Sequence, residues 1–456
     1  MPSVITLTVP ASMILHTSRS QPLIGSYTLP GDKSLAHRSA LFAALAEGES
    51  VIGAFPLSGV TRAMLDALTA FGVPWTFDGG TLTVTGSGLR GLLPPAGAVT
   101  CRNSATTIRL LAGAVAAAGI PCTLDGSEGL RRRPMSRVTE PLRAMGVVIE
   151  TAPGGGAPLV LRGRPADARL TACHHALPVA SAQVKSCLLL AALAADGPVT
   201  LGEPGPSRDH TERMLRAMGV DIRCDPAAHG VTLTPSTAPL RPLRTDLAGD
   251  ISTAAFLIVA ATVIPGSDIT LLGVGVNPTR TGLLDALRSM GADITESNPR
   301  ARSGEPVADI RIRAAALSGT RVSGDLVVRM IDEFPVFAVA AACATGLTEV
   351  SDAVELRHKE SDRIGRLCVE LAGVGVDIAE RPDGFVIRGG GIRGGSVDAH
   401  GDHRIAMSLA VAGWVSHTGI AVRQAEILSE SFPDFVPVFS RLGAAIQTDE
   451  PVFRPD

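Results

Sequence analysis

Two kinds of apolar segment alternate along this chain. The first is apolar on nearly every side, rich in alanine, and runs to a glycine: SALFAALAEG (to Gly48), LLAGAVAAAG (Gly119), LLLAALAADG (Gly197), FLIVAATVIPG (Gly266), FAVAAACATG (Gly346) and LAVAGWVSHTG (Gly419). A segment with no polar face predicts a buried helix. The second kind interleaves with it and ends at Gly72, Gly146, Gly219, Gly291, Gly375 and Gly443. Its apolar residues recur at i, i+3 and i+4 with charges between, as in Thr211-Glu-Arg-Met-Leu-Arg-Ala-Met218. That predicts a surface helix stopped by a glycine. Alternating stretches follow the surface helices (VVIETA, VDIRCD, ADITES, VDIAER), then a turn and a second stretch (LTVTG, VTLTP, IRIRA, FVIRG). Period two marks these as strands.

Both helix series repeat at about 75 residues, six times over. One unit therefore reads strand, helix, strand, helix, strand, strand. Propellers and solenoids repeat at ~20–50 residues. Six α/β units packed as two domains of three are the better expectation.

Composition narrows the class. The chain has 456 residues, enough for two or more domains, and is 45% hydrophobic and 19% charged with a net charge of −3, which excludes disorder as its main state. Only 12 Phe, 2 Trp and 1 Tyr stand beside 49 Gly, so small side chains must fill much of the core. The lack of a basic excess and of aromatics argues against nucleic acid as a partner. Mean hydropathy is +0.27. Yet the longest uncharged apolar stretches, Leu110–Leu124 and Ile251–Ile264, fall short of the ~20 residues a bilayer needs. The first twenty residues, MPSVITLTVPASMILHTSRS, read as no secretory leader. Seven cysteines without CxxC spacing fit a reducing cytoplasm and suggest neither a disulfide framework nor a zinc site.

Polar motifs sit just before the helices, where unpaired N–H groups and the positive dipole end favour anions. Lys33, Ser34 and Arg38 in LPGDKSLAHR either bind carboxylate or phosphate or are a solvated turn. RNSATTIR (102–109) supplies capping residues. Arg131, Arg132 and Arg133 form a turn or an anion clamp. Ser181 and Gln183 offer donors at a helix start, and Ser207 and Arg208 precede a surface helix. Asp332 and Glu333 complement a helix dipole or provide a general base. Lys359, Glu360 and Arg363 lie in ELRHKESDRI, and His403 and Arg404 open the last buried helix. His403 is either structural or a base. Recurrence at one place in the repeat outweighs each bland reading. Lys33, Arg38, Arg133, Arg208, Lys359, Arg363 and Arg404 predict a cationic cleft for small, multiply anionic substrates, with Asp332 and Glu360 as its acids. Neither a metal triad nor a dinucleotide fingerprint is present, so no cofactor is expected.

LPGDKSLAHR, RNSATTIRLL, RRPM, SAQVKSCLLLAAL, SRDHTERML, GDISTAAF, DEFPVFAVAAA, ELRHKESDRI and GDHRIAMSLA occur in one order across essentially the whole chain. In this the sequence resembles the 5-enolpyruvylshikimate-3-phosphate synthase family. The resemblance implies two domains, each of three βαβαββ units, one from residues 1–30 and 249–456 and the other from 31–248. It implies that the domains close on their substrates, shikimate-3-phosphate and phosphoenolpyruvate, with glyphosate as a possible inhibitor, in a cytoplasmic monomer. By the same resemblance Ser34 and Arg38 hold the shikimate carboxylate. Ser181, Ala182 and Gln183 surround its phosphate, with Ser207 or Arg208 helping. Lys33 lies between the substrates. Arg133, Arg363 and Arg404 clamp phosphoenolpyruvate near Gln183, Ala105 and Thr106. Asp332, assisted by Lys359, takes the 5-hydroxyl proton, and Glu360 protonates the methylene carbon.

Three residues depart from the family pattern. Ala105 stands where the herbicide-sensitive branch has Gly, and Arg102 replaces a usual Gly. Glu430 occupies the place of a phosphate-contacting Lys in one branch. Ala105, with the PGDKS and RPM forms, resembles the glyphosate-tolerant branch. The related UDP-N-acetylglucosamine enolpyruvyl transferases carry a Cys in the loop equivalent to about Gly126–Pro134; here that loop has none. A non-catalytic binder of a phosphorylated metabolite would be expected to lose Asp332 and Glu360, and both are present.

Overall fold

A computed structural model describes residues 13–449. The first twelve residues of the leader segment, and the outer ends of the domain expected from 1–30 and 249–456, lie outside the described residues. Twelve principal helices are formed among the described residues. In chain order they are α1 (Lys33–Leu45), α2 (Gly59–Ala70), α3 (Ala105–Ala118), α4 (Ser136–Ala144), α5 (Ala182–Ala192) and α6 (His210–Ala217). They continue with α7 (Ile251–Val263), α8 (Gly282–Ser289), α9 (Phe334–Cys343), α10 (Arg363–Gly373), α11 (His403–Val415) and α12 (Phe435–Leu442). The odd-numbered helices are the buried series and the even-numbered ones the amphipathic series. The glycines that end the amphipathic series (Gly72, Gly146, Gly219, Gly291, Gly375 and Gly443) all have positive φ, from 75° to 106°. That left-handed turn is open to glycine without steric cost.

The buried helices begin earlier than their apolar runs suggest. Lys33, Ser34 and Arg38 lie inside α1 rather than before it. The reason is capping. Asp32 accepts from the amide of Leu35, Ser104 from Thr107, Ser181 from Val184, Asp250 from Ser252, and Asp402 from Arg404. Each cap satisfies a donor of the first turn and fixes where the helix starts.

The strands form six four-stranded sheets. In each, one parallel pair joins two antiparallel ones, as in His174–Ala176, Val199–Gly202, Gly230–Thr234 and Asp221–Asp225. Three sheets are contiguous in sequence. The others are completed from far away. Arg244–Asp246 pairs with Val51–Gly53, Ile24–Thr28 with Asp268–Leu272, and Leu15–Thr17 inserts between Ile420–Val422 and Ile446–Thr448.

The apolar interior divides in two. One core gathers Leu15, Leu23 and Leu29 with residues from Ile251 to Ala444; the other gathers Leu35 to Ala248, joined by Val307. Small side chains let the buried helices approach closely. A Cβ added at Gly113 of α3 would lie 2.1 Å from the carbonyl oxygen of Cys187 in α5. The chain passes between the two cores at Leu29–Lys33 and again at Leu247–Ile251. There Asp32 N donates to Ala248 O at 2.8 Å and Asp250 N to Pro30 O at 3.1 Å. No helix among the described residues is long and apolar enough to cross a membrane.

Candidate active site

The repeat has a geometric consequence. Residues in the first turn of, or shortly before, all twelve principal helices border one cavity of about 470 Å³ between the two cores. The buried series contributes Lys33, Ser104, Ser181, Asp250, Asp332 and His403. The amphipathic series contributes Val60, Arg133, Arg208, Arg280, Lys359 and Glu430. Helix N-termini aimed at one place sum to a positive field that suits anions. Every residue given a substrate or proton role by the resemblance borders this cavity, whereas Arg131, Arg132 and Glu333, also offered from the sequence, do not.

Arg363 is the centre of its C-terminal wall. Its Nη1 lies 3.3 Å from Asp332, its Nη2 2.5 Å from Glu360 and its Nε 2.8 Å from Asp402. One buried guanidinium thus spans the two acids of the cleft. Asp332 also meets Arg208 at 2.5 Å, Lys359 at 3.6 Å and Arg404 at 3.9 Å. Burial alone would raise the Asp332 carboxyl, but Lys359, Arg208, Arg404 and Arg363 hold it well below the usual carboxylate range. Glu360 is likewise raised by burial and lowered further by Arg363, Arg133, His403 and Lys359, with a net downward shift. Both acids are ionised in the unliganded cleft. Lys359 is pushed down by burial, partly offset by Asp332. Burial and Arg404 bring His403 down to about 4, so its ring is neutral near pH 7.

The N-terminal wall is hydrogen-bonded largely within its own half. Arg38 is buried; its Nε donates to Thr211 Oγ1 and its Nη2 to Ser186 Oγ, both at 2.8 Å. Gln183 accepts from Arg109 at 2.5 Å and donates to Thr106 Oγ1 at 2.9 Å. Ser207 donates to Glu203, which together with Glu212 pairs with the buried Lys185 at 2.7 and 2.8 Å. Arg208 reaches across the cleft to Asp332, so the two halves meet there. They also meet through Arg133 and Glu360 at 3.5 Å, and through Arg137, which donates to both oxygens of Glu355 at 2.8 and 3.0 Å.

Arg109, Arg137, Glu355, Asp250 and Arg280 also border the cavity and were not singled out in the sequence. Arg280 had a usable signal: it stands two residues before α8, as Arg208 stands two before α6. Of the departures, Arg102 adopts a φ of 51° and donates to Asp66 of α2 at 2.6 Å. Its carbonyl accepts from Ser127 at 2.7 Å. These contacts tie down a loop conformation that disfavours a side chain. Ala105 is buried as the first residue of α3. Glu430 lies against Gly59 at the start of α2; a Cβ on Gly59 would be 2.8 Å from its carboxylate.

A pseudo-sixfold α/β scaffold thus turns its helix N-termini onto one cationic cleft with paired acids inside it. The family model for EPSP synthase (3-phosphoshikimate 1-carboxyvinyltransferase) matches residues 17–439. The 3-phosphoshikimate 1-carboxyvinyltransferase of Methylococcus capsulatus is 47% identical over 426 residues, covering 93% of this chain and 96% of that protein. That of Herpetosiphon aurantiacus is 46% identical over 432 residues, covering 94% and 99%. The EPSP synthase structure from Acinetobacter baumannii superposes with a TM-score of 0.86 at 39% identity, covering 96% of this chain and all of that one. The chain belongs to the EPSP synthase family.

Proposed function

We propose that this chain transfers the carboxyvinyl group of phosphoenolpyruvate to the 5-hydroxyl of shikimate-3-phosphate and releases phosphate. The observation that carries the mechanism is the bridging of Asp332 and Glu360 by Arg363. Addition to an enol ether carbon needs a proton donor and a proton acceptor at one reaction centre, with cations to hold the substrates' charge. Glu360 gives its proton to the methylene carbon, leaving a cationic C2. The 5-hydroxyl oxygen bonds to C2 as its proton passes to Asp332 beside Lys359. In the resulting tetrahedral intermediate, the methyl group returns a proton to Glu360 as the C2–O bond to phosphate breaks, so that the C–H electron pair forms the double bond of the product.

Arg133, Arg363 and Arg404 hold phosphoenolpyruvate, with Gln183 and the α3 start at Ala105 and Thr106 beside it. Ser181, Ala182, Gln183 and Ser207 receive the shikimate phosphate. Ser34 and Arg38 receive its carboxylate, and Lys33 sits between the substrates. Arg208 is shared between the phosphate side and Asp332. The domains divide at 30/31 and 248/249, which the two separate apolar cores support. They close on the substrates to exclude water. The working form is a cytoplasmic monomer. Ala105 places a methyl group beside the phosphoenolpyruvate pocket and confers reduced sensitivity to glyphosate. Phosphate release from purified protein tests the proposal, with each substrate alone and with both, beside a glyphosate titration. Turnover requiring both substrates is expected. Binding of shikimate-3-phosphate without turnover would refute the activity.

A further inference from the structure

The two chain crossings are joined by a buried ionic network that the reaction steps above do not use. Each crossing ends in an aspartate that caps a buried helix with one carboxylate oxygen, Asp32 for α1 and Asp250 for α7. The other oxygen faces the crossing. Asp32 Oδ2 accepts from Arg280 Nη1 at 2.8 Å, and Asp250 Oδ2 pairs with Lys33 at 2.7 Å. Arg280 Nη2 is also 3.5 Å from Asp250 and donates to Ser252 Oγ at 2.8 Å. Ser252 in turn donates to Glu333, the neighbour of Asp332.

The N-terminal half joins the same guanidinium. Arg280 Nη1 lies 3.2 Å from His210 Nε2, and His210 Nδ1 lies 2.8 Å from Glu305. An arginine N–H only donates, so His210 Nε2 accepts and its proton sits on Nδ1, directed at Glu305. Arg280 itself is 3% exposed. Its Nε and the second oxygen of Glu333 have no partner, so the network is incompletely satisfied. Such a network is a poor stabiliser compared with apolar packing. Its placement suits another role.

We propose that Arg280 is a positioning residue of the transfer reaction. It ties both crossings to the turn that carries Asp332 and thereby sets where Lys33 and Asp332 meet the substrates. Asp250 is shared between Arg280 and Lys33, so the guanidinium limits how strongly Asp250 draws the lysine away from the cleft. The proposal rests on the carboxyvinyl transfer inferred above. It predicts that Arg280 acts on the chemical step, because its hydrogen bonds go to Asp32, His210 and Ser252 and not to Ser181, Gln183, Ser207 or Arg208, the groups that receive the shikimate phosphate.

The test compares wild type with Arg280→Lys and Asp32→Asn. Calorimetry measures the Kd for shikimate-3-phosphate, and phosphate release with both substrates saturating measures kcat. A reacting group misplaced by ~1 Å costs on the order of 100-fold in rate. Arg280→Lys, which cannot hold Asp32 and Ser252 together, is expected to approach that loss. Asp32→Asn is expected to lose ~10-fold by the same effect. The Kd should stay within about threefold in both, because binding contacts that do not change between ground and transition state are left intact. If Arg280→Lys fails to fold, Asp32→Asn decides, since asparagine keeps the helix cap. A wild-type kcat in folded Asp32→Asn would overturn the proposal, as would a parallel loss of kcat and shikimate-3-phosphate binding. Wild-type turnover separately tests the activity, so failure of that reading is distinguishable.

Discussion

On the mechanism proposed above, Glu360→Gln removes the proton that starts the reaction. In the unliganded cleft Glu360 lies 2.5 Å from Arg363 and 3.5 Å from Arg133, and its carboxyl is shifted down. An ionised acid has no proton to give. The substrates supply the remedy. A phosphate charge about 4 Å away interacts with about 4 kcal/mol at an effective dielectric constant near 20. At 1.36 kcal/mol per pH unit, that raises a carboxyl by about 3 units. In the proposed binding mode, phosphoenolpyruvate on Arg133 and Arg363 both claims the cations that hold Glu360 ionised and raises its proton affinity. Glutamine keeps the shape and an oxygen for Arg363, but carries no transferable acid proton. The expected loss in kcat is ~10²–10⁴-fold, the range for a positioned general acid. The KM for phosphoenolpyruvate should not rise, because the substituted side chain no longer competes as an anion for the arginines. Phosphate release gives kcat. Deuterium uptake into the product's methylene group during turnover in D₂O reports the protonation step. A fall of less than tenfold in kcat, or undiminished deuterium uptake, would refute the assignment of Glu360.

Other outcomes follow from the same geometry. Gly113→Ala should destabilise the protein by about 1–3 kcal/mol or more, because its methyl meets the Cys187 carbonyl at 2.1 Å in a packed core; a thermal melt checks it. Arg137 and Glu355 join the halves through a bidentate pair, part-exposed on both sides, so a double-mutant cycle on their alanine variants should give a coupling of about 0.5–1 kcal/mol in ligand-induced closure. No coupling would show that the pair is incidental. Ala105→Gly should lower the glyphosate inhibition constant more than the KM for phosphoenolpyruvate, and an unchanged inhibition constant would remove the steric argument. The unliganded protein should lose stability as pH falls from about 6.5 to about 4. His403 stays neutral in the folded state to about 4 while the unfolded chain takes up its proton near 6.5, so the unfolded state binds more protons in that window. His403→Gln should reduce that slope in melts across the range without abolishing it, because burial brings His37 down to about 4 as well.

The sequence alone determined the helices, their two kinds, and the chemistry at their starts. That information is local. A segment without a polar face must be buried, a 3.6-residue stripe must lie on a surface, and a glycine after the stripe ends the helix, as Gly72, Gly146 and Gly219 do. The candidate residues were legible as a group because the repeat puts each motif at one end of its helix, and that end of each of the twelve principal helices borders the same cavity. Tertiary structure alone decided which strand completes each sheet. Nothing local tells Leu15–Thr17 to pair with Ile420–Val422, or Arg244–Asp246 with Val51–Gly53, because any free strand edge offers the same backbone groups. It also decided the ionic partners. Arg38 reads as a free cation in the chain but is buried against Thr211 and Ser186. Arg280 reads as a loop residue but joins two crossings more than 200 residues apart in sequence, at Asp32 and Asp250. A side chain's charge is written in the sequence; its neighbours are set by where the folded chain brings distant segments together.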